Sequence, residues 1–194
     1  MAAVSAAPGT MITVAPSAGP IGSLLRTAID AEQVGAARLH LAADQPDLSL
    51  ALSALREQTQ LFLTCDSTVH GTDEVESDFV DVVLDDNPDR PALVAEVARL
   101  VTANPAGVAV SGRGSAALPV LLAALAAGGH LWVGAPEHEA ATVAPPPFAA
   151  RPKDHVALVA RACGLARIAG RPPLDRPAAA RLLGLAAAPT DSDS

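Results

Sequence analysis

Several residues that could do chemistry lie at or near the ends of short apolar runs. His40 lies within the run ARLHLA, where its imidazole could bind a metal ion or make a packing hydrogen bond. The residues Thr64 to Ser67 (TCDS) follow a second apolar run, and barrel enzymes place functional groups at that end of a strand. The sequence therefore predicts that Thr64 and Ser67 line a pocket, and it favours a packing role for an isolated His40.

The chain contains two cysteines, Cys65 and Cys163. They have neither a CxxC spacing nor a secretory context, so both are predicted to be reduced. Cys65 could act as a nucleophile only beside a base such as His70, and no pattern in the sequence brings these two residues together.

A glycine-rich stretch, Ser111 to Ser115 (SGRGS), precedes a predicted helix. Backbone amides in such a turn, together with Arg113, could bind a phosphate group. Ser111 and Arg113 are therefore candidate substrate-binding residues, although short glycine-rich turns are also common where nothing binds.

Two acidic stretches could hold a cation or simply be solvated. Asp81, Asp85 and Asp86 offer carboxylates for magnesium or calcium, but the letters DDNP also indicate a turn and cap before a helix, which we favour. The loop stretch Glu137 to Glu139 (EHE) is a metal-capable cluster, for which solvated charge is the simpler interpretation.

The elements that must position these residues alternate between strand and helix, which predicts an α/β fold. The strand runs lack polar alternation, as is typical of parallel strands covered on both faces. Six strands are too few for an ordinary eight-unit barrel, which usually takes about 250 residues. The predicted strands are Met11 to Ala15, Ala37 to Ala42, Gln60 to Thr64, Phe79 to Leu84, Gly107 to Val110 and Leu131 to Val133; the predicted helices are Leu24 to Gly35, Leu48 to Gln58, Pro91 to Ala103, Ser115 to Ala127, Asp154 to Ala169 and Arg176 to Gly184, with Asp154 and Asp175 as N-caps.

Composition sets the class of protein. The chain has 194 residues, of which half are apolar, so we expect one domain over residues 11–185, a flexible tail at 1–10 and a disordered tail at 186–194. The net charge is −8 and the 13 basic residues are scattered, which argues against nucleic acid or an anionic membrane as a partner. No apolar run reaches the roughly 20 residues that span a bilayer, and no signal peptide is evident, so we expect a cytoplasmic protein.

Two motifs resemble those of the beta-keto acid cleavage enzymes, also called 3-keto-5-aminohexanoate cleavage proteins. The stretch VGAARLHLAADQPD, from Val34 to Asp47, resembles the family's second strand, where HxH precedes RDPDG. The stretch GGHLWVGAPE, from Gly128 to Glu137, resembles the later signature GGHxRVGLED. The ending RPPLDRPAAARLLGL is similar to the family's C-terminus, and the resemblance covers most of residues 11–185, with about two strand–helix units missing between Leu84 and Gly107.

The resemblance implies a TIM-barrel-like fold of parallel βα repeats, here shortened to about six strands. It also implies a divalent metal, usually zinc, and cleavage of a beta-keto acid with acetyl-CoA to give acetoacetate and a new CoA thioester. In the family two histidines on one strand and a later glutamate bind the metal, an arginine holds a carboxylate and an aspartate is the base.

The positions that match this site have changed. His40 matches the first metal ligand, but Ala42 and Pro136 stand at the other two ligand positions. Trp132 replaces the arginine, and Glu137 replaces the catalytic aspartate with a longer carboxylate. The resemblance therefore implies a metal-binding residue at His40, a catalytic residue at Glu137 and substrate-binding residues at Thr64, Ser67, Ser111 and Arg113, within a site that has lost several partners.

Two functions remain open from the sequence. The chain could be a diverged cleavage enzyme that still acts on a keto acid or CoA ester with replaced ligands, or a pseudoenzyme that binds a small molecule or a partner protein without turnover. We also expect a homo-oligomer, because a barrel shortened by two units would expose strand edges and apolar faces.

Overall fold

The computed structural model describes residues 9–42, 44–65, 79–134 and 155–185. Within these ranges it contains six strands and six α-helices, and each predicted element is present. In chain order they are β1 (Ile12–Val14), α1 (Ile21–Val34), β2 (Arg38–Leu41), α2 (Leu48–Gln58), β3 (Phe62–Cys65), β4 (Val80–Leu84), α3 (Arg90–Ala103), β5 (Val108–Gly112), α4 (Ala117–Ala127), β6 (His130–Val133), α5 (His155–Ile168) and α6 (Arg176–Leu182).

All six strands form one parallel sheet in the order β3-β2-β1-β6-β5-β4. Pairing of the last strand with the first, β6 with β1, is the order of a βα-barrel that has been opened between β3 and β4. The sequence resemblance places the missing units between β4 and β5, but β4 and β5 pair directly along five residues. The opening therefore lies at a different connection from the one expected.

The sheet is strongly curled. Strands β2 and β4 are four steps apart in the sheet order, which in a flat sheet would separate them by about 19 Å. Instead, the guanidinium of Arg38 on β2 forms an ion pair with Asp81 on β4. The six strands thus form a half-barrel with a concave face, and this confirms a barrel-like α/β fold.

The two faces of the sheet carry different residues. On the convex face, Val14, Leu39, Val110 and Leu131 are fully buried in one apolar cluster with the helices. The concave face holds Thr13, Arg38, His40, Asp81, Ser111, His130 and Trp132. The predicted absence of polar alternation is therefore wrong for β2 (RLHL) and β6 (HLWV), because the inside of the half-barrel is polar where a sheet covered by helices on both sides would be apolar.

The amino end of the half-barrel is closed by the C-terminal segment. Met11 and Ala37 pack against Ala179 and Leu183 of the last helix region in a second apolar cluster. Asp175 caps α6 by accepting a hydrogen bond from the Ala178 amide at 2.9 Å, as predicted. The strand ends on the opposite side of the sheet, the carboxyl ends, are free of this plug.

The packing of the described chain includes two residues that precede the predicted domain boundary at residue 11. Gly9 and Thr10 are buried, and the Thr10 amide donates to the Pro172 carbonyl at 3.0 Å. Arg171 adds hydrogen bonds to the carbonyls of Gly9 and Gly129 at 2.7 and 2.6 Å. The predicted cap Asp154 and the tail at 186–194 lie outside the described residues.

Asp89, which the sequence analysis did not select, caps α3 by accepting from the Ala92 amide at 3.1 Å. None of the helices in the described ranges is long and apolar enough to cross a membrane.

Candidate functional site on the concave face

Three neighbouring strands place polar side chains side by side at the centre of the concave face. In the register of the sheet, Thr13 of β1 lies opposite Arg38 of β2 on one side and Trp132 of β6 on the other. The β5–β6 register then puts Ser111 beside Trp132. Since registered residues of parallel strands point to the same face, these side chains form one row across the half-barrel.

An ion pair crosses the concave face. Arg38 is 2% exposed, and one terminal nitrogen, Nη2, contacts both carboxylate oxygens of Asp81. The Arg38 guanidinium also lies 4.9 Å from the centre of the Phe79 ring, a cation–π contact. A charged group this deeply buried requires its partner, so the ion pair links β2 to β4 across the open half-barrel.

His40 lies next to this ion pair, one step closer to the carboxyl end of β2. Its Nδ1 is 3.2 Å from the Thr64 hydroxyl and 3.9 Å from an Asp81 oxygen. Its ring packs against the Trp132 indole, with 5.0 Å between ring centres. The structure thus brings together His40 and Thr64, both selected from the sequence, with Trp132.

Three buried polar atoms in the central row have no hydrogen-bond partner among the described residues. They are the Thr13 hydroxyl oxygen, the Arg38 Nε and the Trp132 Nε1. The three residues are at most 8% exposed. Unpaired polar groups in the interior are costly. Three of them in one row therefore indicate a candidate binding site in this part of the half-barrel.

His130 lies on the concave side of β6, below Trp132. Its Nδ1 accepts a hydrogen bond from the Met11 amide at 3.0 Å, and its ring lies 5.5 Å from that of Phe79. Burial, with smaller contributions from Arg171 and Arg38, lowers the pKa of His130 to about 3. This imidazole is therefore neutral at physiological pH and serves as an acceptor.

A small cleft lies at the carboxyl ends of β5 and β6, and its volume of about 10 Å³ is roughly that needed for one water molecule. Ser111 and Trp132 line it, together with Leu121 of α4 and Gly134. Gly134 has a φ of 82°, and a Cβ there would lie 2.6 Å from the His155 ring, so only glycine fits at this end of β6.

The glycine-rich turn beside this cleft is occupied by carboxylates. Arg113 donates to Asp85 at 2.6 Å, and Ser115 donates to Asp86 at 2.8 Å. Arg90 also pairs with Asp86, and the hydrogen bond from Ser115, then Arg90, holds the pKa of Asp86 below its usual value. Arg113, the one cation of the turn, is thus paired with a carboxylate. The carboxylates of Asp85 and Asp86 bind these side chains, the cap of α3 is Asp89, and Asp81 lies apart on the concave face.

The remaining candidates are separated from the row or lie outside the described residues. Cys65 packs with the convex apolar cluster, on the opposite face of β3 from Thr64, which gives no support to a nucleophilic role. Ser67, His70, Pro136, Glu137 and the rest of the EHE stretch lie outside the described residues.

Zinc does not fit the side chains that can be placed. Within the described ranges, no three His, Cys, Asp or Glu residues form a metal-binding group. The carboxylate of Asp81 lies 3.9 Å from His40 and is already paired with Arg38. His40 and Asp81 together offer two ligands where a protein zinc site uses three or four.

Sequence reasoning missed Thr13, Arg38, Asp81 as an ion-pair partner, and His130. The available signal was the alternation in RLHL and HLWV, which has period two and places arginine with histidine, and histidine with tryptophan, on the same face.

Comparisons with known proteins add little to this geometry. No model of a known protein family matches the chain, and no curated protein matches it. Among solved structures, it is similar to a probable methylase family protein from Haemophilus influenzae Rd KW20, at 17% identity, with 84% of this chain and 67% of that chain covered and a TM-score of 0.35. A likeness at this level carries no argument about function.

Proposed function

We propose that this protein is a shortened, TIM-barrel-like relative of the beta-keto acid cleavage enzymes that binds a small molecule in its half-barrel and has lost metal-dependent turnover. The observation that carries the proposal is the contact between Trp132 and His40. These residues match the carboxylate-binding arginine and the first metal ligand of the family, and their rings pack 5.0 Å apart. An indole in this position cannot form the paired hydrogen bonds by which an arginine holds a carboxylate.

The surrounding residues support binding more than catalysis. Thr64 and Ser111 offer hydroxyl groups, and Ser111 and Trp132 line the cleft at the carboxyl ends of the strands. Functional groups of βα-barrels gather at this end. Arg113 is engaged by Asp85, so the role proposed for it is to hold the loop beside the cleft.

A second candidate is an altered enzyme that still acts on a keto acid or CoA ester. The observation that favours it is the 3.2 Å contact of His40 Nδ1 with the Thr64 hydroxyl, with an Asp81 oxygen 3.9 Å from the same nitrogen, since an imidazole beside a hydroxyl can move a proton. In this version Glu137 would be the catalytic carboxylate, with acetyl-CoA as co-substrate and zinc held by His40 and replaced ligands.

One experiment separates the two candidates. The untagged protein is analysed for bound metal and then incubated with acetyl-CoA and beta-keto acids, with and without added zinc, while CoA thioester exchange is followed. We expect no tightly bound zinc and no exchange. Stoichiometric zinc together with exchange that stops in the His40→Ala variant would contradict the loss of turnover.

The alignment itself can be tested by restoring the missing ligands. In the Ala42→His, Pro136→Glu double variant, two imidazoles share a strand face and a carboxylate follows β6, so zinc affinity should rise above that of the parent and zinc should raise the melting temperature. Equal zinc affinity in a folded double variant would show that the matched positions do not converge.

We also propose that the protein self-associates, with a second copy against the open side of the half-barrel. Strands β3 and β4 are the two edges of the sheet and are only partly buried, whereas the four strands between them are buried throughout. Unpaired edges favour pairing with another chain. Light scattering during size exclusion should show a dimer or larger assembly, and a stable monomer at micromolar concentration would contradict this.

A further inference from the structure

Thr13, Arg38 and Trp132 form a row, here called the donor row, whose hydrogen bonding is not completed by the neighbouring residues. Each residue contributes one buried polar atom without a partner in the part of the chain that the structure describes. The three residues are adjacent across β2, β1 and β6, and their strands lie about 4.8 Å apart.

The types of these atoms restrict what can satisfy them. The Arg38 Nε and the Trp132 Nε1 carry hydrogens and can only donate, while the Thr13 hydroxyl can donate or accept. A metal ion or an ammonium group would bring no acceptor to the two donors. The complementary partner is therefore a group rich in acceptor oxygens.

The contacts of Arg38 further restrict the class of ligand that can bind the donor row. Asp81 engages Arg38 through Nη2 alone, which leaves the Nε of the same guanidinium for a second acceptor. The remaining Nε–H can donate one hydrogen bond to a carboxylate or phosphate oxygen, and such charge-assisted hydrogen bonds are stronger than those between neutral groups. Different oxygens of one oxyanion, each accepting a hydrogen bond of about 2.9 Å, can bridge neighbouring strands of the row.

One member of the donor row also borders the cleft. Trp132 belongs to the row and lines the cleft at the carboxyl ends of β5 and β6. Because the row residues are at most 8% exposed, a ligand that reaches them must be small.

We propose that the donor row binds the oxyanion of a small molecule, either a short carboxylate or a phosphate group, through Thr13, Arg38 and Trp132. The inference rests on the proposed small-molecule function and names its ligand class. It places oxyanion binding at the central row of the concave face. None of the metal-ligand positions implied by the resemblance takes part.

The chain contains a single tryptophan and no tyrosine, so its intrinsic fluorescence reports on Trp132 alone. The full-length protein is titrated at constant ionic strength with acetate, with inorganic phosphate and with acetamide, a neutral analogue of acetate. We expect a saturable change in Trp132 emission with one of the two oxyanions and at least tenfold weaker binding of acetamide. The preferred anion separates a carboxylate ligand from a phosphate ligand.

Two conservative variants connect this binding to the row. Thr13→Val removes the hydroxyl with little change in shape and should weaken binding about tenfold, as measured by fluorescence. Trp132→Phe removes the indole N–H, keeps a ring and should weaken binding similarly, as measured by calorimetry. The matched control is Thr102→Val, whose hydroxyl is exposed on α3 and donates to Ala98, and it should bind like the parent.

The outcomes that overturn the proposal are distinct. If neither anion changes the emission or the melting temperature, the row is satisfied by water and the assignment is wrong. If an anion binds equally to the Thr13→Val, Trp132→Phe and control variants, the protein binds small molecules elsewhere. The proposed function then stands, but the donor row is not the binding site. If acetamide binds as well as acetate, the oxyanion class is wrong. Zinc-dependent exchange would contradict the proposed loss of turnover without changing the fluorescence result.

Discussion

The two faces of the curled sheet come from the same six strands and have different tasks. On the convex face, leucines and valines at alternate positions pack against helices, and the arrangement is satisfied without any polar contact. On the concave face, the intervening positions include Arg38, His40, Asp81 and Trp132, whose buried polar atoms need specific partners. The convex face stabilises the fold through burial of apolar area, while the concave face depends on pairing, which is typical of a site.

The largest expected effect comes from breaking the ion pair on the concave face. Asp81→Ala leaves the Arg38 charge buried without its carboxylate and should lower the free energy of unfolding by about 3–5 kcal/mol. The matched control is Asp85→Ala, which removes a carboxylate that is 81% exposed and pairs with Arg113, with an expected cost of at most about 1 kcal/mol. Urea denaturation of both variants measures the difference, and equal costs would show that Arg38 does not depend on Asp81.

A cavity on the convex face should have the next largest effect. Leu39→Ala deletes a fully buried side chain and should cost about 3 kcal/mol. Leu50→Ala, at a position that is 61% exposed, should cost well under about 1 kcal/mol. Unlike the Asp81 variant, Leu39→Ala should leave the emission of Trp132 unchanged, because the two side chains lie on opposite faces. A large shift in emission would mean that the faces are coupled.

The pH dependence of stability distinguishes the two faces further. Burial lowers the pKa of His130 to about 3, below the value of about 6.5 expected in the unfolded chain. As the pH falls through 6.5, the unfolded state takes up the proton first, so stability is full above that pH and decreases toward pH 3. The slope is at most about 1.4 kcal/mol per pH unit.

This dependence is measured by urea denaturation between pH 7 and pH 5, above the range in which most carboxylates titrate. His130→Gln can still accept from the Met11 amide and should flatten the slope. The prediction fails if the variant and the parent lose stability at the same rate in this interval.

The smallest expected effects concern helix caps at the two ends of the half-barrel. Asp175→Ala removes the acceptor for the Ala178 amide on the helix that closes the amino end, and it should cost about 1 kcal/mol. Asp89→Ala removes the equivalent contact with Ala92 on α3 and should cost a similar amount. Thermal unfolding of both variants provides the measurement, and no change in either would show that solvent replaces the side chains.

Local sequence patterns were sufficient to predict the strands and helices, but they were insufficient to predict the residues of the candidate site. All six strands and the helices α1 to α6 lie where the apolar runs and the helical spacing indicate, and Asp175 caps α6 as its position before Pro177 suggests. His40 and Thr64 are both candidates from the sequence, and their side chains meet because β2 and β3 pair them in register on the same face. Arg38 was overlooked, because a single arginine at the start of an apolar run looks like a surface residue until its partner is known.

The sequence by itself determined the alternation of strands and helices and the acidic net charge with its scattered basic residues, because these depend on residue type and on spacing along the chain. Only the tertiary structure decided that the barrel order opens between β3 and β4, that Asp81 meets Arg38 and that Trp132 lies against His40. These contacts join residues that are 43 and 92 positions apart and depend on how far the sheet curls. Curvature is a property of all six strands together, so no local segment of the sequence carries it.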